Sequence, residues 1–252
     1  MSDLTGRTGS AAAPAVPAGT APERDAAARE SLARRVDISC VQAHHAYDDI
    51  ARLAELAREH DFVSAHVLPQ WAGVLAGLLK GSRTLTGAPV GFPSGGATTA
   101  TKLAEAEELL AAGVQELDVV IAVGRLRSGD LPYVTGELAR VADLVGGAVP
   151  LRAIIEVGHL DDGQVRAATR CAVEAGVPWV KTGTGWSGVP TTAHHVRLIG
   201  EVAAGRARIK AAGGIRDART VREMEELGVE RFGMNAAAAV AAVAAYDAEV
   251  SR

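Results

Sequence analysis

Strand-like and helix-like runs alternate along this chain eight times, and that alternation limits what it can fold into. Short runs rich in Val, Ile, Leu and Ala lie at 36–41, 62–68, 88–92, 116–122, 151–157, 179–183, 208–212 and 231–233. Each is followed by a stretch with helical spacing, at 48–60, 70–80, 101–112, 130–144, 161–175, 192–204, 218–227 and 236–248. Gly113 and Gly176 stand just past two of these helices, where a left-handed residue ends a helix cheaply. A strand–helix–strand unit places two strands in parallel and lays the helix on the face of their sheet. Eight such units in 252 residues predict a (β/α)8 TIM barrel, which takes about 250 residues. The alternative, a doubly wound open sheet, calls for a glycine-rich turn after strand 1, where this chain has Gln42-Ala43-His44-His45.

Residues 1–25 do not share the alternation. Ser10 to Ala21 is almost all Ala, Pro, Gly, Ser and Thr, with no basic stretch leading into an apolar core, so it reads as a disordered tail and not a secretory signal. The expected organisation is a tail over 1–25 and one barrel over 26–252, with a short helix from 22 to about 33. The net charge of −4 and the lack of a Lys/Arg block give no footprint for nucleic acid. No apolar run reaches the roughly 18 residues of a membrane span. Cys40 and Cys171 have no metal-ligand spacing, and the histidine pairs His44-His45 and His194-His195 point to different faces. The expectation is therefore a cytoplasmic protein with no metal site.

In such a barrel the carboxyl ends of the strands line the site. Those ends carry Asp37, Ser39, His66, Ser94, Asp118, Glu156, Lys181, Lys210, Gly213, Gly214 and Asn235. The two lysines bear the chemistry. Each sits in an apolar strand running into glycine, where burying an ammonium costs several kcal/mol, an order-of-magnitude figure, or forces the proton off. On neighbouring strands, about 5 Å apart, two ammonium groups disfavour each other's charged form. A neutral lysine amine can attack a carbonyl and form a Schiff base. Asp118, flanked by Leu117 and Val119, needs a cationic partner, which the lysines supply, and can carry protons between intermediates. Glu156 reads as a hydrogen-bonding partner for a loop or a lysine, and His66 as a satisfied core histidine. Gly213 and Gly214 after strand 7, the turn after strand 8 and Thr184-Gly185 after strand 6 offer backbone N–H groups to an anion such as phosphate.

Val180-Lys181-Thr182-Gly183-Thr184-Gly185 resembles the Schiff-base segment of the deoxyribose-phosphate aldolases, usually V/I-K-T-S-T-G. Lys210-Ala211-Ala212-Gly213-Gly214-Ile215-Arg216 resembles their K-x-[AS]-G-G-[IV]-R segment, and Glu116-Leu117-Asp118-Val119-Val120 their E-[IL]-D-M-V strand. Val90-Gly91-Phe92-Pro93-Ser94-Gly95 is similar to V-[GA]-F-P-x-G, and the likeness runs over about residues 36–240. The resemblance implies a class I aldolase that reversibly joins acetaldehyde to glyceraldehyde 3-phosphate without metal or organic cofactor. It implies Lys181 as the Schiff-base lysine, Lys210 as the second lysine that keeps Lys181 deprotonated, and Asp118 as the proton shuttle. Thr182, Gly185, Gly213, Gly214, Asn235 and Ser39 would then form the substrate and phosphate shell. The substrate would be a small aldehyde or sugar phosphate, and a homodimer is one option for assembly.

Several mouth positions depart from the family pattern. Strand 1 reads Asp37-Ile38-Ser39-Cys40-Val41 where the family has D-H-T-x-L, and His66 replaces a small thiol on strand 2. Gly183 replaces the serine after Lys-Thr, Met234-Asn235-Ala236 replaces a serine-bearing turn, and Trp186 follows the T-G-T-G run. These changes fall on the substrate shell and spare the lysines. Two alternatives therefore stay open: the same chemistry on a different acceptor aldehyde, and a non-catalytic barrel that binds a phosphorylated ligand.

Overall fold

The computed structural model describes residues 31–250. Eight parallel strands close into a barrel in sequence order, and the last pairs with the first. They are β1 (Val36–Cys40), β2 (Ser64–Val67), β3 (Leu85–Val90), β4 (Glu116–Val120), β5 (Leu151–Ile154), β6 (Trp179–Lys181), β7 (Arg208–Ala212) and β8 (Val229–Asn235). The helices are α1 (Tyr47–Glu59), α2 (Ala72–Leu78), α3 (Thr99–Ala111), α4 (Val123–Arg127), α5 (Leu131–Val145), α6 (Asp162–Glu174), α7 (Ala193–Ala203), α8 (Ala218–Glu226) and α9 (Ala236–Val250). The predicted barrel is thus the observed one.

The strands carry two different faces because successive side chains point to opposite sides of a sheet. Ile38, Ala65, Val67, Val90, Leu117, Val119, Ala153, Val180, Ala211 and Phe232 are buried in the core between the barrel and its helices. The helices meet them with apolar stripes. In α1, Ile50, Leu53, Ala54 and Ala57 are buried at helical spacing, and each fully buried Leu or Ile contributes about 1.5–3 kcal/mol. Side-chain caps start several helices: Asp161 accepts from Gln164 N ahead of α6, and Thr192 accepts from His195 N ahead of α7. The alternate strand residues Asp37, Glu116, Asp118, Arg152, Lys181, Lys210 and Arg231 are joined to one another by ion pairs, and His66 Nε2 lies 3.4 Å from Glu116. This interior is charged, unlike the branched apolar filling usual in such barrels.

Some boundaries differ from those the sequence predicts. Strand 3 begins at Leu85, earlier than predicted, because the pairing of Ser64 with Leu85 extends it back past Gly87, which is no strand former. Strand 8 covers Val229–Asn235 instead of three residues, held by ladders to both β7 and β1. The helix predicted from 70 is a 3-10 turn, Pro69–Trp71, leading into α2. A short helix, α4, precedes α5, separated from it by Ser128, Gly129 and Asp130. The predicted tail and most of the predicted helix at 22–33 lie outside the described residues; the described part contains a 3-10 turn, Leu32–Arg35.

Candidate active site

The barrel register sets Lys181 directly beside Lys210 on neighbouring strands, and Asp118 beside Arg152. From β4, across the barrel, Asp118 reaches both lysines with one oxygen. Its Oδ2 accepts from Lys181 Nζ at 2.7 Å and from Lys210 Nζ at 2.9 Å. Its other oxygen, Oδ1, accepts from Arg152 at 3.3 Å. Asp118 is fully buried, which by itself favours the neutral acid, yet the surrounding cations, Lys181 and Lys210 first, hold the carboxyl well below the usual carboxylate range. Both lysines line a cavity of about 250 Å³ at the barrel mouth.

The lysines differ in access. The Lys181 side chain is 13% exposed and that of Lys210 is 1% exposed. Burial lowers the Lys210 amine to about 8, with the Lys181 charge adding to the effect and the carboxylates of Asp118 and Asp37 opposing it. The lowering of Lys210 comes mainly from desolvation.

Below the lysines lies a ring of ions that sequence reasoning largely missed. Arg231 donates to Asp37 and Glu116, Arg152 donates to Glu116 at 2.8 Å, and Lys210 pairs with Asp37. Burial raises the Glu116 carboxyl, but Arg152 and Arg231 bring it down to about 2. Burial also opposes the Arg152 guanidinium, and the carboxylates still raise its pKa above the usual value. The signal was parity: Glu116 and Asp118 stand two apart, so they share a face, and Arg152 and Arg231 occupy equivalent inward positions on their strands. His66 completes the ring as a buried histidine, as expected, but it is also part of the cavity wall. Asp37, His66 and Glu116 bring donor atoms within 4.8 Å of one another, a spacing a metal ion can use. The carboxylates there already face two arginines and a lysine, so the arrangement fits an ion-pair network better than a divalent cation.

Of the predicted shell, Ser39, Gly185, Gly213, Gly214 and Asn235 line the cavity, together with Arg216 and Phe92. Ser39 Oγ donates to Met234 O at 3.4 Å. Gly213 and Gly214 adopt φ of +95° and +83°, a left-handed conformation that glycine tolerates and that turns the loop after β7 across the mouth. The Oδ1 atom of Asn235 accepts from Ala238 N at 2.9 Å and so caps α9. Thr182 is a correction. It is fully buried, its hydroxyl donates to Ala212 O at 2.8 Å and accepts from Thr191, and it does not line the cavity. It clasps β6 to β7, a role that any hydroxyl at that position of a closely packed strand pair would take. Glu156 binds a loop, as expected: it accepts from the Thr184 N–H and hydroxyl. Ser94 accepts from Gly96 N in its own turn and lies outside the cavity wall. Trp186 is 41% exposed and meets Phe92 edge-on, with ring centroids 5.9 Å apart, at the rim.

A parallel eight-stranded barrel with two lysines on one buried carboxylate, at the carboxyl ends of its strands, is an α/β-barrel scaffold arranged for amine chemistry. No family model matches the chain. Among curated proteins, it is 48% identical over 214 residues to the deoxyribose-phosphate aldolase of Sinorhizobium medicae, covering 84% of this chain and 86% of that one. It is 45% identical over 207 residues to the deoxyribose-phosphate aldolase of Klebsiella pneumoniae, covering 81% and 83%. Among solved structures, the deoxyribose phosphate aldolase of Aeropyrum pernix, described as tetrameric, superposes with a TM-score of 0.77 at 25% identity, over 86% of this chain and 92% of that one. The chain belongs to the deoxyribose-phosphate aldolase family.

Proposed function

We propose that this protein is a class I carbon–carbon lyase that reversibly cleaves 2-deoxy-D-ribose 5-phosphate to acetaldehyde and D-glyceraldehyde 3-phosphate. The observation that carries the reading is the single oxygen of Asp118 shared by two lysine amines. Lys181, the more accessible amine, attacks the C1 aldehyde of the open-chain sugar. Loss of water from the carbinolamine leaves an iminium. The C3 hydroxyl then gives its proton to Asp118, the C2–C3 bond breaks, and its electron pair flows into the iminium. Glyceraldehyde 3-phosphate leaves and an enamine remains. Asp118 delivers a proton to the enamine carbon, and water hydrolyses the resulting iminium to acetaldehyde and free Lys181. Lys210, with its amine near 8, exchanges protons with Lys181 through Asp118 and returns it to the neutral state. Gly185, Gly213, Gly214, Arg216 and Asn235 line the cavity, where backbone N–H groups and a guanidinium suit a phosphate.

The same chemistry on another acceptor is the second reading, favoured by the Trp186–Phe92 pair at the rim and by Asn235-Ala236 in place of hydroxyl residues. A cytoplasmic setting and a homo-oligomeric assembly go with either reading. No helix among the described residues is long and apolar enough to cross a membrane.

One experiment tests the core claim. Protein mixed with acetaldehyde and borohydride should carry a reduced adduct on Lys181 by mass spectrometry, and Lys181→Met should carry none. An adduct on Lys210 reverses the two roles, and no adduct on either ends the reading. Cleavage of the phosphorylated sugar compared with free deoxyribose separates the two acceptor readings.

A further inference from the structure

His66 is a buried imidazole set among the carboxylates of the site. It is 4% exposed, stands on β2 between Ser39 of β1 and Gly87 of β3, and forms part of the cavity wall. A Cβ built on Gly87 would overlap the His66 ring, so the ring fits only because residue 87 has no side chain. Its two nitrogens face different groups. Nε2 lies 3.4 Å from Glu116 Oε2 and 3.7 Å from Asp37 Oδ2. Nδ1 lies 3.7 Å from Asp118 Oδ2, the oxygen that receives both lysines.

The tautomer follows from these partners. Nε2 faces two carboxylates and so carries the proton, which it donates to Glu116. Nδ1 then presents a lone pair to Asp118 Oδ2. While Asp118 is ionised, lone pair and carboxylate have no hydrogen bond to share. Once Asp118 has taken a proton from substrate carbon, its O–H gains an acceptor. At that stage the Lys181 nitrogen is part of the enamine and no longer presents an ammonium to the same oxygen. We propose that His66 is a positioning residue for the proton-carrying carboxylate: its Nδ1 accepts from protonated Asp118 while its Nε2–H is anchored on Glu116. The proposal rests on the reading of Lys181 and Asp118 given above. In the step concerned, the donor carbon's C–H bond breaks, its electron pair forms the enamine double bond, the proton moves to Asp118, and His66 gains a hydrogen bond without gaining the proton.

The groups around the ring keep it in the required state. Burial and the Lys210 ammonium on β7 hold the imidazole below its usual range, against Asp118 and Glu116 on β4 and Asp37 on β1. Arg231 on β8 and Arg152 on β5 pair with Asp37 and Glu116.

Deuterium exchange into acetaldehyde in heavy water, with no acceptor aldehyde, reads the C–H step, and borohydride trapping reads imine formation separately. His66→Leu is expected to slow exchange by about tenfold, the worth of one hydrogen bond, while trapping on Lys181 stays within about twofold. His66→Asn, whose carbonyl oxygen can take the place of Nδ1, should keep most of the exchange rate. Exchange in the wild type should fall on the acid side as the imidazole gains a proton and Nδ1 stops accepting, and His66→Asn should lack that fall. Unchanged exchange in His66→Leu, parallel loss of exchange and trapping, or Asn no better than Leu overturns the proposal. If circular dichroism shows His66→Leu unfolded, His66→Asn against His66→Gln decides, because Gln reaches Glu116 but leaves the Nδ1 place empty. Asn should then exceed Gln, and the reverse or equality overturns the proposal. Failure of acetaldehyde to label Lys181 in the wild type marks the aldolase reading itself as wrong, independently of His66.

Discussion

Asp118→Asn removes one charge and keeps the volume of the side chain, so it isolates what the carboxylate does for the lysines. In the wild type, burial lowers Lys210 to about 8, and Asp118 is the foremost group opposing that shift. The two lie 2.9 Å apart. At an effective dielectric near 20, unit charges at that separation attract by roughly 6 kcal/mol, a ceiling of about four pKa units. Losing even a quarter of that ceiling, about one unit, takes Lys210 from roughly nine-tenths protonated at pH 7 to half protonated. Titration of lysines labelled with 13C at Cε should therefore show the Lys210 resonance moving to lower pH in the variant. Cleavage of deoxyribose 5-phosphate should fall by about 10²–10⁴, the usual worth of a general acid–base group, while borohydride trapping on Lys181 persists. A Lys210 that titrates at or above its wild-type value, or cleavage within tenfold of wild type, refutes the reasoning. The first outcome would mean that Asp37 alone sets the amine, and the second that another group moves the proton.

Three further outcomes follow from the same ring of residues. Glu116 is lowered from 4.5 to about 2, and Asp37 and Asp118 also lie below the usual range, so the unfolded chain binds protons more readily than the folded one in acid. The stability they contribute is present above about pH 4.5 and is lost as pH falls towards 2, about 3 kcal/mol for Glu116 alone; urea midpoints at pH 6, 4 and 3 should fall accordingly, and equal midpoints count against the network. Gly87→Ala should destabilise the barrel by about 1–3 kcal/mol by overlapping His66, and Gly87→Ala with His66→Cys should recover most of that loss in thermal denaturation; a single variant as stable as wild type shows that the ring moves freely. Asn235→Ser with Ala236→Ser should lower KM for the phosphorylated sugar with little change in kcat, the sign of added uniform binding, whereas an unchanged KM places the phosphate elsewhere.

The barrel was legible because its outward face is simple. Runs such as Leu117, Val119, Val180, Ile209 and Ala211 carry the strand signal, and the helices between them end at glycines. The reading weakened where an inward residue interrupted a run. Gly87 hid the start of β3, and β8 runs two residues beyond the predicted 231–233 on either side. Lys181, Lys210 and Asp118 stood out because each is charged inside an apolar segment. Arg152 and Arg231 did not, because an arginine near the start of a strand reads as a surface charge until the register places it inside. Thr182 was misplaced for a related reason. Adjacent to Lys181, it points to the opposite side of the strand, and only the contact with Ala212 and Thr191 shows where its hydroxyl goes.

The barrel interior holds four basic side chains, Lys181, Lys210, Arg152 and Arg231, against three carboxylates, Asp37, Glu116 and Asp118. Each carboxylate is shared by at least two of the cations, so the seven side chains are energetically one object. Single substitutions there should be strongly non-additive, since removing one ion leaves the others buried and unmatched. Drift through this interior is then restricted to paired exchanges that conserve the charge count, such as loss of an arginine together with a carboxylate. The surrounding apolar shell, by contrast, can change one residue at a time. A lineage wanting a new substrate would find the rim residues free to vary long before the floor.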